Sequence, residues 1–372
     1  MTKNASQKND AAAIRVALAD ADPEKRRLAV QTLADFDEAE GPTLLILALG
    51  DLDWRVRKEA ASIAQAMPRR EAIVLELTRS LADKDNIGLR NSVVEALVVL
   101  GRDSIDAAIS ALKVLDADGR KLAVEVLSGV PDDRSAIALS EALSDEDANV
   151  RAAAAEGLGN AGLASELARE TAIAGLQANL SANEMLLTLA SLEALSRLDA
   201  RLPWSTFEPF AKNPLFRRHA ILAASRSREE AALLALVDAT GDTSSTVARE
   251  ALLVLSGWLL FASIEDDVLE RARSAMRLTP RGTANIRARA HDKSDTRGYS
   301  AALVALSLVH EESDVPTLVD ALADPDVAEH ASASLELYGR SATYAIAQLL
   351  PSVPQATRAV LLSLIPRLSR GA

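Results

Sequence analysis

The chain has 372 residues, of which 49% are apolar but only 3% aromatic. That length exceeds one ordinary globular core, and the composition is poor in the residues that strands favour. The net charge is −12 at pH 7 and there is no cysteine, so disulfides, thiolate metal sites and cysteine nucleophiles are excluded and general nucleic-acid binding through Lys and Arg is disfavoured.

Residues 1–10, MTKNASQKND, are polar and read as a disordered N-terminal tail without a secretory signal. A repeated pattern then begins. LADADPEKRRLAVQTL from Leu18 is echoed from Leu49, Leu81, Leu143 and Leu322. In each copy a Leu is followed two residues on by Asp, then by a second Asp or Asn, and four residues later by an anchor, usually Arg. The anchors are Arg26, Arg57, Arg90, Arg120, Arg151, Thr188, Arg217, Ala248, Tyr299, His330 and Arg358. Their interval of about 31 residues holds two helices of roughly 10 to 13 residues and two tight turns.

The template positions have physical roles. Asp22, Asp53, Asp147, Asn213, Ser244, Asp295 and Asp326 stand four before an anchor, where a side-chain oxygen caps the amides that open a second helix. Pro23 and Pro214 follow at the first helical position, which tolerates proline. Gly101, Gly129, Gly162, Gly257 and Gly339 lie 9 to 11 residues past their anchors, where a left-handed stop is expected. Between cap and stop, apolar residues such as Val93, Val94, Leu97 and Leu100 form a stripe that one hairpin cannot bury alone, so neighbours must stack.

The pattern resembles the short HEAT repeat of phycobilin lyases, most closely at Arg151-Ala-Ala-Ala-Ala-Glu-Gly-Leu-Gly159. The resemblance implies an all-α solenoid, a superhelix of about 10–11 HEAT-like helical hairpins, and specifies fold far more than function. Residues 11–200 keep the template as regular repeats, whereas residues 201–372 are divergent.

In the divergent part nine aromatics appear, against two before it. They read either as fillers of altered packing or, for Trp204, Phe207, Trp258 and Phe261, as apolar anchors for a partner. Anchor spacing jumps to 51 between Ala248 and Tyr299, which places an insertion loop at about 278–298, where no helical apolar period is visible. Residues 271–297 hold eight basic and two acidic residues. This local +6 points to an acidic or phosphorylated target for Arg281, Arg287, Arg289, Lys293 and Arg297, or to a merely solvated loop.

Five residues past successive anchors, Glu95, Glu125, Glu156 and Glu193 align. They read as an acidic row facing a groove, or as one side of ion pairs between repeats.

Catalytic signatures are sparse. One His-Glu pair, His310-Glu311, falls short of the repeated pairs that HEAT-like di-iron hydroxylases use, and no Gly-rich phosphate loop, Gly-x-Ser-x-Gly or His-Glu-x-x-His occurs. The longest uncharged apolar run, from Ala251 to Ile264, is shorter than a membrane span. The expected function is a non-enzymatic, cytoplasmic scaffold or adaptor in signalling, regulation or complex assembly. It would bind protein partners through a concave face and the basic loop, and need neither metal nor cofactor. A bilin-lyase-like ligand handler and a nucleic-acid binder using the basic loop stand as alternatives.

Overall fold

A computed structural model describes residues 11–368, apart from Asn183, Ala262, Ser263 and the side chain of Ser225. The tail read at residues 1–10 lies outside them. Among the described residues all regular structure is helical, with 23 α-helices and four short 3-10 segments. The helices pair into eleven hairpins, each with a first helix A and a second helix B.

The chain divides into two compact units, residues 1–199 and 200–372. Unit 1 holds six hairpins: α1 (Ala11–Ala17) with α2 (Pro23–Gln31), α3 (Gly41–Leu49) with α4 (Trp54–Ile63), and α5 (Arg70–Ser80) with α6 (Ile87–Leu100). These are followed by α7 (Ile105–Val114) with α8 (Ala117–Gly129), α9 (Asp133–Ala142) with α10 (Ala148–Ala161), and α11 (Glu166–Asn179) with α12 (Met185–Arg197). Unit 2 continues with α13 (Trp204–Ala211) and α14 (Arg217–Ser227), then α15 (Glu230–Ala239) and α16 (Ser245–Phe261). A three-helix repeat follows, α17 (Asp266–Arg277), α18 (Pro280–Arg289) and α19 (Thr296–Val309). The last two hairpins are α20 (Val315–Ala321) with α21 (Ala328–Tyr338), and α22 (Thr343–Leu349) with α23 (Gln355–Leu368).

Within each unit the B helices stack on one another in sequence order, and in unit 1 the A helices do the same. The predicted stripes point into this stack: Val30, Leu33, Val93, Leu97, Leu127, Leu158 and Leu192 are at most 1% exposed. Each buried aliphatic contributes roughly 1.5–3 kcal/mol, most of it against the neighbouring hairpin.

The predicted caps form at most positions. Asp22, Asp53, Asp147 and Asp295 accept from backbone amides at the start of their B helices, and Asn86, Asp116 and Ser165 cap α6, α8 and α11. Asp326 makes no such bond, because α21 begins one residue later behind Val327. Of the predicted stops, Gly101 and Gly339 have φ of 62° and 59°. Gly129 and Gly257 instead lie inside α8 and α16, and Gly162 closes α10 in a right-handed conformation.

The anchor arginine has a role that its position alone did not reveal. Arg26 donates through Nη1 to the carbonyls of Asp20 and Ala21 in its own turn, and through Nε and Nη2 to the Asp51 carboxylate in the next hairpin's turn, at 2.7 and 2.8 Å. Asp51 also accepts from the Asp53 amide at 2.8 Å, which shapes that turn. The rung, with its two-point pairing, recurs at Arg120–Asp145 and, one residue past the Ala248 anchor, at Arg249–Asp295, while Arg151–Glu184 and Arg217–Asp242 are ion pairs to a single carboxylate oxygen. Such two-point pairing of guanidinium and carboxylate fixes orientation as well as proximity.

The expected insertion loop is corrected. Residues 280–289 form α18, and Asp295 caps α19 directly after it. The helix escaped notice because it buries only Gly282 and Ile286, too few apolar positions to make a period. A Cβ at Gly282 would collide with Thr240 Oγ1, so glycine is what lets α18 approach the turn after α15.

Both partners of the Arg120–Asp145 rung have side chains only 12% exposed. Asp145→Ala is expected to cost about 1–3 kcal/mol, since it leaves a guanidinium without its carboxylate. Lys84→Ala, which breaks a pair of more exposed side chains with Asp116, should leave the urea midpoint unchanged. Urea denaturation followed by circular dichroism compares the two variants.

Candidate interaction surfaces

Burial removes three of the four aromatic candidates. Trp204, Phe207 and Trp258 are 3%, 0% and 8% exposed, so they fill the core of unit 2 and offer no anchor to a partner. Phe261 alone of that set stands in solvent, at 85%. Beside Trp204 a groove of about 320 Å³ is floored by Ile221, Leu234 and Ala235. Its rim charges are already matched, Lys212 to Glu208 at 2.9 Å and Arg217 to Asp238 at 3.0 Å, which leaves few polar groups to orient a small ligand. Sequence reasoning passed over Trp54, which is 61% exposed beside Leu52 at 97%. Its place at the first position of a B helix, directly after the cap, was the available signal.

The basic segment is also largely neutralised. Arg287 pairs with Asp314 and Glu311, Arg289 with Asp295, and Lys293 with Asp324. Arg271 pairs with Glu230 and Asp267. Arg273 is buried, donating to the carbonyls of Ser307 and Leu337 and to Glu270. The local +6 is therefore offset by acids on other helices. Arg287, Arg289 and Lys293, expected as partner contacts, are engaged in ion pairs within the protein, while Arg281 and Arg297 are exposed and take part in no ion pair among the described residues.

Around the single His-Glu pair lies a polar cluster. His310 closes α19 with φ of 54°, its Nε2 2.9 Å from Ser341 Oγ and 3.3 Å from the Tyr338 carbonyl. Ser341 donates its own hydrogen to that carbonyl at 2.6 Å. Which of the imidazole and the hydroxyl donates in this pair is set by the ring's tautomer. The cluster joins two hairpins. Burial, aided by the Arg273 guanidinium, pulls the His310 pKa below its usual value, so the ring is neutral at pH 7. Burial likewise pushes the Tyr338 hydroxyl well above its usual range, and it donates to the Leu306 carbonyl at 2.9 Å. Among the described residues no three His, Asp or Glu side chains converge as metal ligands.

The acidic row is on the surface. Glu95, Glu125, Glu156 and Glu193 are all exposed on the B helices α6, α8, α10 and α12. The ion pairs between repeats expected for them are absent for three: Glu125 meets Lys121 of its own helix at 3.7 Å, and Glu95 and Glu156 join no ion pair among the described residues. By contrast Glu59, on α4, is held by Arg27 and Gln31 of α2 at 2.8 and 2.9 Å. Two grooves open between successive B helices. One, of about 220 Å³, is walled by Trp54, Asn91 and Glu95, with Arg57 and Lys58 also lining it. The other, of about 320 Å³, lies between Glu125 and Glu156 over Val124, Ser128, Ala153 and Gly157. Residues 1–199 contain 33 acidic and 22 basic residues, which places −11 of the −12 in unit 1.

Comparison with known proteins follows the architecture. The sequence matches no family model and no curated protein. Among solved structures it is similar to the karyopherin Kap121p, with 16% identity and a TM-score of 0.53 over 96% of this chain and 45% of that one. It is also similar to the Escherichia coli protein YibA, with 18% identity and a TM-score of 0.52 over 75% of this chain and 95% of that one. The chain thus spans just under half of the karyopherin's length. These likenesses and the stacked hairpins define a HEAT-repeat α-solenoid protein. No described helix is long and apolar enough to cross a membrane.

Two outcomes test these assignments. Phe207→Ala is expected to destabilise the protein by about 3–5 kcal/mol through the cavity it opens, whereas Phe261→Ser leaves the denaturation midpoint where it was. Because the folded His310 takes up a proton less readily than the unfolded ring near pH 6.5, its stabilising contribution is intact above about pH 6.5 and declines as pH falls below it. His310→Asn, which accepts the left-handed backbone, should flatten the fall of the urea midpoint between about pH 7.5 and 5.5. An unchanged slope in the variant would remove His310 from the pH response.

Proposed function

We propose that the chain is a non-enzymatic protein-interaction scaffold that holds its partner on the B-helix face of unit 1. The observation that carries this reading is a run of four adjacent B helices presenting exposed glutamates, two of them without an ion pair among the described residues, next to the exposed indole of Trp54. Stacked B helices give a rigid platform whose positions repeat along the array, which suits an extended partner better than a single pocket does.

Kap121p supports the reading by analogy of fold: it has been solved bound to the extreme C-terminus of the protein phosphatase Cdc14p and bound to RanGTP. An acidic or phosphorylated partner, expected from the basic segment, would find only Arg281 and Arg297 free among its five expected contacts, so unit 1 is the preferred surface. A cytoplasmic adaptor in signalling, regulation or complex assembly accords with the absence of cysteine.

Carboxylate footprinting tests the surface. With a partner recovered on the intact chain from its source cells, labelling of Glu95 and Glu156 should fall at least about threefold, as expected for desolvated interface groups. Undiminished labelling with partner bound would move the interface elsewhere. Failure to recover any stoichiometric protein partner would count against the scaffold itself.

A further inference from the structure

Resting on the scaffold reading, we propose that the B-helix face of α6, α8, α10 and α12 binds an extended, Lys- or Arg-rich segment of the partner in a polyproline II conformation, with a basic residue at every third position. The sign of the charge comes first. Residues 101–199 contain 17 acidic and 8 basic residues, most of the chain's net −12, and they include three of the four aligned glutamates. The cations that could balance this row are unevenly placed. One residue past the anchor stand Arg27, Lys58 and Lys121, but Asn91, Ala152 and Leu189 in the other hairpins of unit 1, and Arg197 of α12 is engaged by Asn160 Oδ1 at 2.7 Å. Glu156 consequently faces solvent without a partner among the described residues, and a neighbouring chain must supply the cation if it is to be met.

The form of the segment follows from spacing. Packed helices lie roughly 8–10 Å apart. A polyproline II chain advances about 3.1 Å per residue with three residues per turn, so every third side chain returns to the same face after about 9.3 Å. A β-strand, with its two-residue period, would point its first and fourth side chains to opposite faces. Only the three-fold chain presents one basic residue to each successive B helix without bending. The groove between α8 and α10 is the size of a side chain, about 320 Å³, and its floor of Ser128, Ala153 and Gly157 lets an aliphatic stem lie low while its charged head reaches Glu125 or Glu156. Each groove also holds a cation of its own, Lys121 beside Glu125 in this one and Lys58 with Arg57 beside Trp54 and Glu95 in the first, so the indole takes an apolar residue at the end of the segment and Glu156 is the carboxylate left for a basic head.

A fluorescein-labelled peptide of four Lys-Pro-Pro repeats is the probe, titrated by anisotropy into the full chain at low and physiological salt. Its controls are a peptide of the same composition with the lysines contiguous, and a Glu-Pro-Pro repeat. We expect saturable binding of the regular peptide, about fivefold or more weaker binding of the contiguous one, and none of the acidic one. The triple variant Glu95→Gln, Glu125→Gln, Glu156→Gln should lose about tenfold or more in affinity. These sites are exposed, so an unaltered thermal melt verifies that the variant folds. Arg281→Ala with Arg297→Ala should bind like the wild type. Equal affinity for the regular and contiguous lysine peptides, or an unimpaired triple variant, would overturn the inference. If a recovered natural partner bound the triple variant as tightly as the wild type, the scaffold would stand and the basic segment would fall. If neither partner nor peptide bound, both would fall.

Discussion

A guanidinium that engages two turns at once sets the geometry on which everything else rests. Hydrophobic stacking is strong but carries little direction, since a stripe of Leu, Val and Ala can slide along its neighbour with modest loss. The anchor arginine removes that freedom. In Arg26 one edge of the fork reads the carbonyls of its own turn and the other closes on Asp51 in the next, so the height of each hairpin is set by the one before it. Asp51 in turn shapes the bend that delivers Asp53 to the start of α4. Register, turn and helix start are thereby a single device, repeated wherever the rung is complete.

The rungs are not continuous. Arg57 donates to the carbonyls of its own turn but to no carboxylate among the described residues. The Arg90 Nε is buried without a hydrogen-bond partner, because the turn between α7 and α8 is only Leu115 and Asp116 and lacks the first acid of the template. The substitutes are weaker, Asn86 reaching the Gly50 carbonyl at 3.4 Å and Lys84 pairing with Asp116 at the surface. Local opening is easiest where such cross-links are fewest. The hairpins around α6 are therefore less firmly cross-linked than those joined by a complete rung, and they carry Trp54 and Glu95 at one end of the proposed platform.

What was legible in the sequence was whatever depends on short range. The caps at Asp22, Asp53 and Asp147 and the stops at Gly101 and Gly339 are local chemistry, and the period of about 31 residues follows from helix and turn lengths. Partners distant along the chain were not legible. The +6 of residues 271–297 looked free because Glu230, Glu311, Asp314 and Asp324 lie outside that window, yet each closes on a basic residue within it. For the same reason Trp204 and Phe261 read alike as late aromatics although one is 3% and the other 85% exposed. Helix α18 was hidden because it buries only Gly282 and Ile286, which leave a faint apolar signal.

The glutamate row shows most clearly how repetition and function separate. At Glu59 a repeat acid is fully employed, since Arg27 and Gln31 of the neighbouring helix both bind it. Glu95 and Glu156 sit in the same architecture and form no ion pair among the described residues, although Lys58 and Lys121 line their grooves, and their repulsion is a cost that unit 1 bears. Exposure to water and salt makes that cost small for each group, of order tenths of a kcal/mol. It grows with every like charge brought alongside, and falls abruptly when a cationic chain lies along the row. A surface that is tolerable alone and markedly better covered has the physical profile of a binding face, whereas the paired basic residues of unit 2 already have inside the protein most of what a partner could give them.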